Sequence, residues 1–211
     1  MHFEEQISAP PFELIADNVC LDFINTLDNR PSGQPIELLK RFHDLVRFCE
    51  QSGLLSHAEA MRVIERSHDM PRAAEQTLHS ARELREALFA VFMAVVEHKQ
   101  IPGEALARVN GAIQYSAQHA RLAPVRSGFA WEFDPVASPE RPFDPILWPI
   151  ARAAAELLAS AELALVRTCS AQTCQWLFLD TSKNHHRRWC SMKICGNRAK
   201  VQKFYARKKS G

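Results

Sequence analysis

Apolar side chains recur three and four residues apart along most of the chain, the spacing of one face of an α-helix. The first such pattern carries Val19, Leu21, Phe23, Ile24 and Leu27 around most of its surface behind a capping Asp17, which predicts a short, buried helix. Beyond the Pro31 to Pro35 break, Ile36, Leu38, Leu39, Phe42, Leu45, Val46 and Cys49 return at helical spacing, with Pro35 opening and Gly53 closing this second helix. Ser56 and Glu59 form a capping box for a shorter helix to about Ser67. Pro71 then starts a long helix to about Lys99, and its stripe of Leu78, Ala81, Leu84, Leu88, Phe92 and Val95 marks it as the scaffold's centre. Another helix is expected from about Gly103 to His119.

There the period shortens to alternation. Leu122 to Arg126 and Phe129 to Phe133, joined by Ser127-Gly128, predict a β-hairpin whose Phe129, Trp131 and Phe133 share one side, packed on a helix layer. Three prolines between Asp134 and Asp144 predict an irregular segment, followed by a helix from Pro145 to about Ala159. Leu163 to Arg167 reads as an extended link. Next, Trp176 to Phe178 and Arg187 to Trp189 predict the arms of a second hairpin with its tip near Ser182 to His185, and a last helix follows from about Gly196 to Lys208. The pattern contains no internal repeat or heptad array.

An apolar content of 46% suffices for a core. The opening Met-His-Phe-Glu-Glu-Gln lacks the basic-then-apolar order of a secretory leader, and the longest apolar run, Ala87 to Val96, is far short of the roughly 20 residues that span a bilayer. A cytoplasmic protein without a membrane segment is expected. The net charge of +2 conceals an asymmetry: from Arg167 onward eleven Lys and Arg face a single Asp, a net +10, whereas the preceding residues carry fifteen Lys and Arg against twenty-three acids, a net −8. Such a basic cluster beside an acidic body suits nucleic acid, and a solvated tail or one docked on the acidic part is the alternative.

The basic region also holds four of the six cysteines, as Cys169-x4-Cys174 and Cys190-x4-Cys195. Two thiolate pairs on separate knuckles can close a tetrahedron around one Zn²⁺, although a gap of four is wide and free or oxidised thiols are the other reading. His185 and His186 are surplus to that tetrahedron and are assigned to the hairpin tip. A closed four-sulfur site leaves no coordination position for water, and neither a phosphate loop nor a nucleophile-base pair is evident, so an enzyme is not expected. Cys20 and Cys49 read as core residues.

These residues, with Phe178, Asp180, the Arg188-Trp189-Cys190 triplet and the run Cys195-Gly196-Asn197-Arg198, closely resemble the CGNR zinc finger over about 43 residues. In that family the finger follows a helical domain called ABATE, whose opening signature resembles Leu21 to Thr26 here. The resemblance implies a stress-induced, DNA-binding transcription regulator. The fold expected is mainly α: a helical domain with a small β-hairpin over residues 1–163, then a treble-clef-like zinc finger over residues 164–211.

On this reading one structural zinc sits on Cys169, Cys174, Cys190 and Cys195, and its loss unfolds the finger but leaves the helical domain intact. Double-stranded DNA meets Arg187, Arg188, Arg198, Lys200, Lys203, Arg207 and Lys208, while Val201, Phe204 and Tyr205 pack the last helix on the finger. A homodimer on two half-sites is the expected assembly. RNA binding or a protein adaptor with a purely structural zinc are the alternatives. In the helical domain, Asp22 and Asn25 share a face at i, i+3. They are either ties to a neighbouring loop or, with Arg85, Trp131 and Arg152, the border of a pocket for a small anionic ligand. Arg82, Arg85 and Glu86 suggest a solvent-exposed ion-pair face.

Overall fold

The structure, a computed structural model, describes residues 11–133 and 140–209. Six helices make the body: α1 (Val19–Ile24), α2 (Phe42–Gln51), α3 (His57–Asp69), α4 (Pro71–Val96), α5 (Gly103–His119) and α6 (Trp148–Leu158). The 26-residue α4 is central; α1, α2, α3 and α5 all pack on it, and α6 lies between α1 and α5. Its start at Pro71 follows from proline's preference for the first helical turn. The Ser56 and Glu59 capping box opens α3 as expected, and Gly53, at φ 75°, ends α2 in a conformation that glycine adopts without strain.

Three boundaries differ from the expectations, each because a polar side chain overrides the apolar period. Asn18, and not Asp17, caps α1: its side chain accepts from the Cys20 N–H, and Asp17 sits at φ 59° outside the helix. The helix ends at Ile24, so Leu27 lies in a two-residue strand, β1 (Leu27–Asp28), paired antiparallel with β2 (Ile36–Glu37). Ile36 is therefore not helical but half exposed, and α2 starts only at Phe42, where Asp44 accepts from the Arg41 N–H at 2.8 Å. Glu37 is drawn toward α4 by Arg85, which grips both its carboxylate oxygens at 2.7 Å while also donating to Thr26 Oγ1 and Glu86. Arg85 is 2% exposed, so this member of the face expected to be a solvated ion-pair surface is instead a buried clamp from α4 onto Thr26 and β2, while Glu86, paired with Arg30 and Arg85, stays 46% exposed. Arg82 completes it by donating to the Leu39 and Lys40 carbonyls.

The hairpin appears in register, β3 (Ala120–Val125) against β4 (Gly128–Phe133), but it is not packed on a helix layer. Leu122, Phe129 and Trp131 are 58%, 74% and 48% exposed. Of the irregular segment, residues 134–139 lie outside the described residues, as does the Phe133 side chain. The helix expected from Pro145 begins as a 3-10 turn, Asp144–Leu147, before α6.

The finger corrects the expectation most. Its strand β6 (Leu177–Leu179) pairs not with Arg187 to Trp189 but with β5 (Val166–Thr168), the stretch taken for a link. β5 packs on α4 and β6 on α1, and Val166, Leu177, Phe178 and Leu179 join the same buried core as the helices. The last helix, α7 (Asn197–Lys209), follows a π-helical turn, Met192–Gly196, and packs mainly on that turn. Val201 and Tyr205 are 54% and 60% exposed, not buried as the expected apolar face; the Phe204 side chain lies outside the described residues. No helix among the described residues is long and apolar enough to cross a membrane.

Candidate metal centre and nucleic-acid face

The four finger cysteines converge at the junction between the core and α7. Cys169 follows β5 directly and donates its N–H to the Trp176 carbonyl at 2.8 Å; a turn closed by Cys174 N–H to Ala171 O then brings the second thiol back. Gln175 at φ 59° reverses the chain into β6. The second knuckle is tied to the first by the Ser170 N–H on the Arg188 carbonyl at 2.9 Å. Its wide four-residue gap is absorbed by the π-helical turn, in which the Gly196 N–H reaches the Ser191 carbonyl five residues back. Gly196 is buried there by close packing: a Cβ would stand 2.8 Å from Met192 Sδ and 3.3 Å from Trp189 Cδ1.

All four sulfurs lie within 4.8 Å of one another, and each cysteine is at most 4% exposed. The Cys174–Cys190 and Cys190–Cys195 sulfurs are 3.7 and 3.6 Å apart, far too long for disulfides. Thiolates bound at roughly 2.3 Å around a tetrahedral zinc stand about 3.8 Å from each other. The donor set therefore fits one structural zinc. Left to themselves the sulfurs compete for protons: hydrogen bonds from Cys174 and Cys190 pull the Cys169 thiol far below its ordinary value, while hydrogen bonding with Cys169 drives Cys174 and Cys190 far above theirs and burial raises Cys195. A divalent cation is what lets all four ionise together. His185 and His186 are exposed at the tip and stand outside the cluster.

Beside the metal centre lies a polar joint in which Asp22 and Asn25 take the first of their two expected readings, ties to neighbouring backbone, and not the pocket one. The Asn25 side chain donates to the Leu177 carbonyl and accepts from the Leu177 N–H, both at 2.9 Å, so one amide replaces a strand along the outer edge of β6. Two residues along, the Leu179 N–H bonds the Ala16 carbonyl at 3.0 Å. Asp22 holds that segment by accepting from the N–H groups of Ile15 and Ala16. Arg187 clasps the same segment from the finger: it donates to Ile15 O at 3.0 Å, Asp17 Oδ2 at 3.2 Å, Trp189 O at 3.1 Å and the Cys190 carbonyl, with its guanidinium 4.4 Å from the Phe178 ring centre. Asp180, fully buried, accepts from the Arg187 N–H and from Ser182. Burial pushes its carboxyl up, but these hydrogen bonds outweigh that and hold it below the usual carboxylate range.

The expected DNA contacts therefore divide. Arg187 is consumed by the joint. Arg188, Arg198, Lys200 and Lys208 are exposed, with Arg198 anchored on Thr173 Oγ1 at 3.1 Å; the side chains of Lys203 and Arg207 lie outside the described residues. Of the five candidate pocket residues, Asp22, Asn25 and Arg85 spend their polar atoms on the bonds just described. Only Trp131 and Arg152 are brought together, at 5.4 Å between ring and guanidinium. None of the five lines the cavity of about 290 Å³ between α4, α5 and α6, whose wall includes Leu84, Arg108, Tyr115, Arg141 and Trp148. Arg108 is held there by an ion pair with Glu83, 25 residues earlier on α4, a spacing that leaves no periodic signal in the sequence, and Arg141 by a local i, i+3 pair with Asp144.

Two family models match the chain. ABATE, described as "Putative stress-induced transcription regulator", covers residues 17–161, and the CGNR zinc finger covers residues 166–208. No curated protein matches it.

Proposed function

From the premise that this chain belongs to the ABATE family of stress-induced transcription regulators and carries a CGNR zinc finger, we propose that it binds duplex DNA through the exposed basic face of α7 and the neighbouring knuckle. Neither family description is that of an enzyme. The observation that carries the reading is the exposed basic surface of α7, a helix that packs mainly on the zinc-bearing turn, with Arg198, Lys200 and Lys208 exposed and the surrounding region at net +10. A helix of this diameter fits a major groove, lysines neutralise phosphates, and an arginine fork can read guanine edges. Zinc's part is to fix the origin and direction of α7.

Salt dependence tests it. Changing Lys200, Lys203 and Arg207 together to Ala should lower the slope of log affinity against log salt by about 2 to 3 units, at roughly 0.9 per phosphate contact. An unchanged slope and affinity would leave the adaptor reading in its place. The exposure of Tyr205, at 60%, favours one second reading, single-stranded RNA with bases stacked on the ring; stronger competition by single-stranded RNA than by duplex DNA would select it. In this scheme residues 1–163 act as the sensor and residues 164–211 as the reader. The interhelical cavity is the space this scheme offers a small effector. Ala112→Trp, which fills that space, should abolish an effector's influence on DNA binding without changing the binding itself.

A further inference from the structure

The β3–β4 ribbon holds its apolar side chains largely in solvent, although Arg152 of α6 reaches the Trp131 ring at 5.4 Å: Leu122, Val125, Phe129 and Trp131 are all between 45% and 74% exposed. An isolated two-stranded ribbon is marginal in water, and an exposed aromatic cluster of this kind marks an association surface. The register identifies its edges. The two-residue turn Arg126-Ser127 is closed by the pair Val125 and Gly128, so hydrogen-bonded pairs alternate from there. Phe129 and Trp131 consequently point their N–H and C=O groups away from β3. The matching outward position on β3 is Pro124, which has no N–H to offer, a common guard on an edge strand. β4 has no such guard, and among the described residues no backbone hydrogen bond takes up its outer edge.

We propose that β4 pairs with β4 of a second copy of this chain across a two-fold axis at Ala130, forming a four-stranded antiparallel sheet. The sequence of the strand is complementary to itself in this register. With Ala130 opposite Ala130 of the copy, Phe129 faces the copy's Trp131, both residues offer outward N–H and C=O groups, and two reciprocal aromatic pairs form. Read across the four strands, one face carries the row Leu122, Trp131, then Phe129 and Pro124 of the copy, and its symmetry mate. The opposite face carries Ala123 and Ala130 at the centre. Glu132, already paired with Arg121 on its own ribbon, falls beside Gly128 of the copy, so no like charges meet. Shifting the pairing by two residues sets Trp131 against its own copy and leaves Phe129 beside Phe133, losing the reciprocal Phe–Trp match. The proposal concerns this ribbon alone and does not depend on what α7 binds.

Sedimentation of the full-length, zinc-loaded protein over a wide concentration range tests it. A dimer is expected, and Phe129→Glu should raise its dissociation constant by at least about tenfold, since aromatic anchors carry most of such interfaces. Phe129 is 74% exposed, so the change leaves the fold intact, which zinc content and circular dichroism verify. Independently, Ala130→Cys should give an intermolecular disulfide on mild oxidation, because directly opposed residues of antiparallel strands come within bridging distance, whereas Ala123→Cys should not. A monomer at all concentrations, or a dimer indifferent to Phe129→Glu that fails to cross-link through position 130, overturns the proposal.

Discussion

The finger's two ends are built on opposite principles. Its root, β5 and β6, is sunk into the helical body: Leu177 and Phe178 are fully buried, and the edge of β6 is completed by Asn25 and Ala16 from residues more than 150 positions earlier. Its far end, α7, packs mainly on the turn that carries Cys195. The root is held by everything around it, and α7 essentially by one metal-stabilised turn. The contrast shows what the zinc does here. It is less the seed of a separate miniature domain than a hinge pin between a fixed core and an outward arm.

The most severe test of that contrast is removal of the metal, by chelation or by Cys190→Ser. Structural zinc contributes on the order of 10 kcal/mol to small fingers, as much as the whole stability of many domains. Because β5 and β6 share the core of α1 and α4, amide exchange in α1 should accelerate along with loss of α7. This departs from the expectation that the helical domain stays intact, and unaltered α1 protection in the chelated protein would restore that expectation. Next in size, Asn25→Ala strips both hydrogen bonds from a fully buried Leu177 and should cost about 2 to 4 kcal/mol in urea unfolding, with the zinc stoichiometry retained.

Smaller effects separate the arm from the root. Lys200→Ala with Lys208→Ala should shift unfolding by no more than about 0.5 kcal/mol, as is usual for exposed sites, while weakening any nucleic-acid complex. Arg187→Ala should do the reverse, destabilising the protein and leaving the salt slope as it was. The finest test is electrostatic. Burial raises the Asp22 carboxyl to about 6, against the lowering effect of the Ala16 and Ile15 amides. The folded state therefore holds this proton more tightly than the unfolded chain. Its contribution is complete below the ordinary carboxylate value near 3.8 and is lost as pH rises through about 6. Asp22→Asn keeps an oxygen for both amides and should flatten the difference in stability between those pH values, measured against the parent protein.

Much of this architecture was legible because it rests on local chemistry. Pro71, Ser56 with Glu59, Gly53 and the spacing of the four cysteines each act within a few residues, and each appears where the pattern put it. What escaped is long-range. Three residues, Val166-Arg167-Thr168, with a single apolar side chain among them, do not announce a strand until their partner is known, and the second hairpin was assigned to the wrong arms for that reason. Ile36 fits a helical period by coincidence, and Glu37 takes its place from Arg85, 48 residues away. Asn25 and Asp22 were visible as polar interruptions of an apolar helix. Whether such interruptions face a ligand or a neighbouring backbone is decided by which segment folds against them.

The substitution of a side-chain amide for a strand has a practical corollary. A protein cut at the boundary between the two matched families would release a finger whose β6 has lost its cover on one side, baring the Leu177 and Leu179 backbone beside apolar side chains. Bare edges of that sort recruit further strands. The excised finger should precipitate or form mixed aggregates even when fully loaded with zinc, and the shortest well-behaved fragment should be one that keeps the Ile15 to Asn25 segment, whether attached or supplied as a separate peptide.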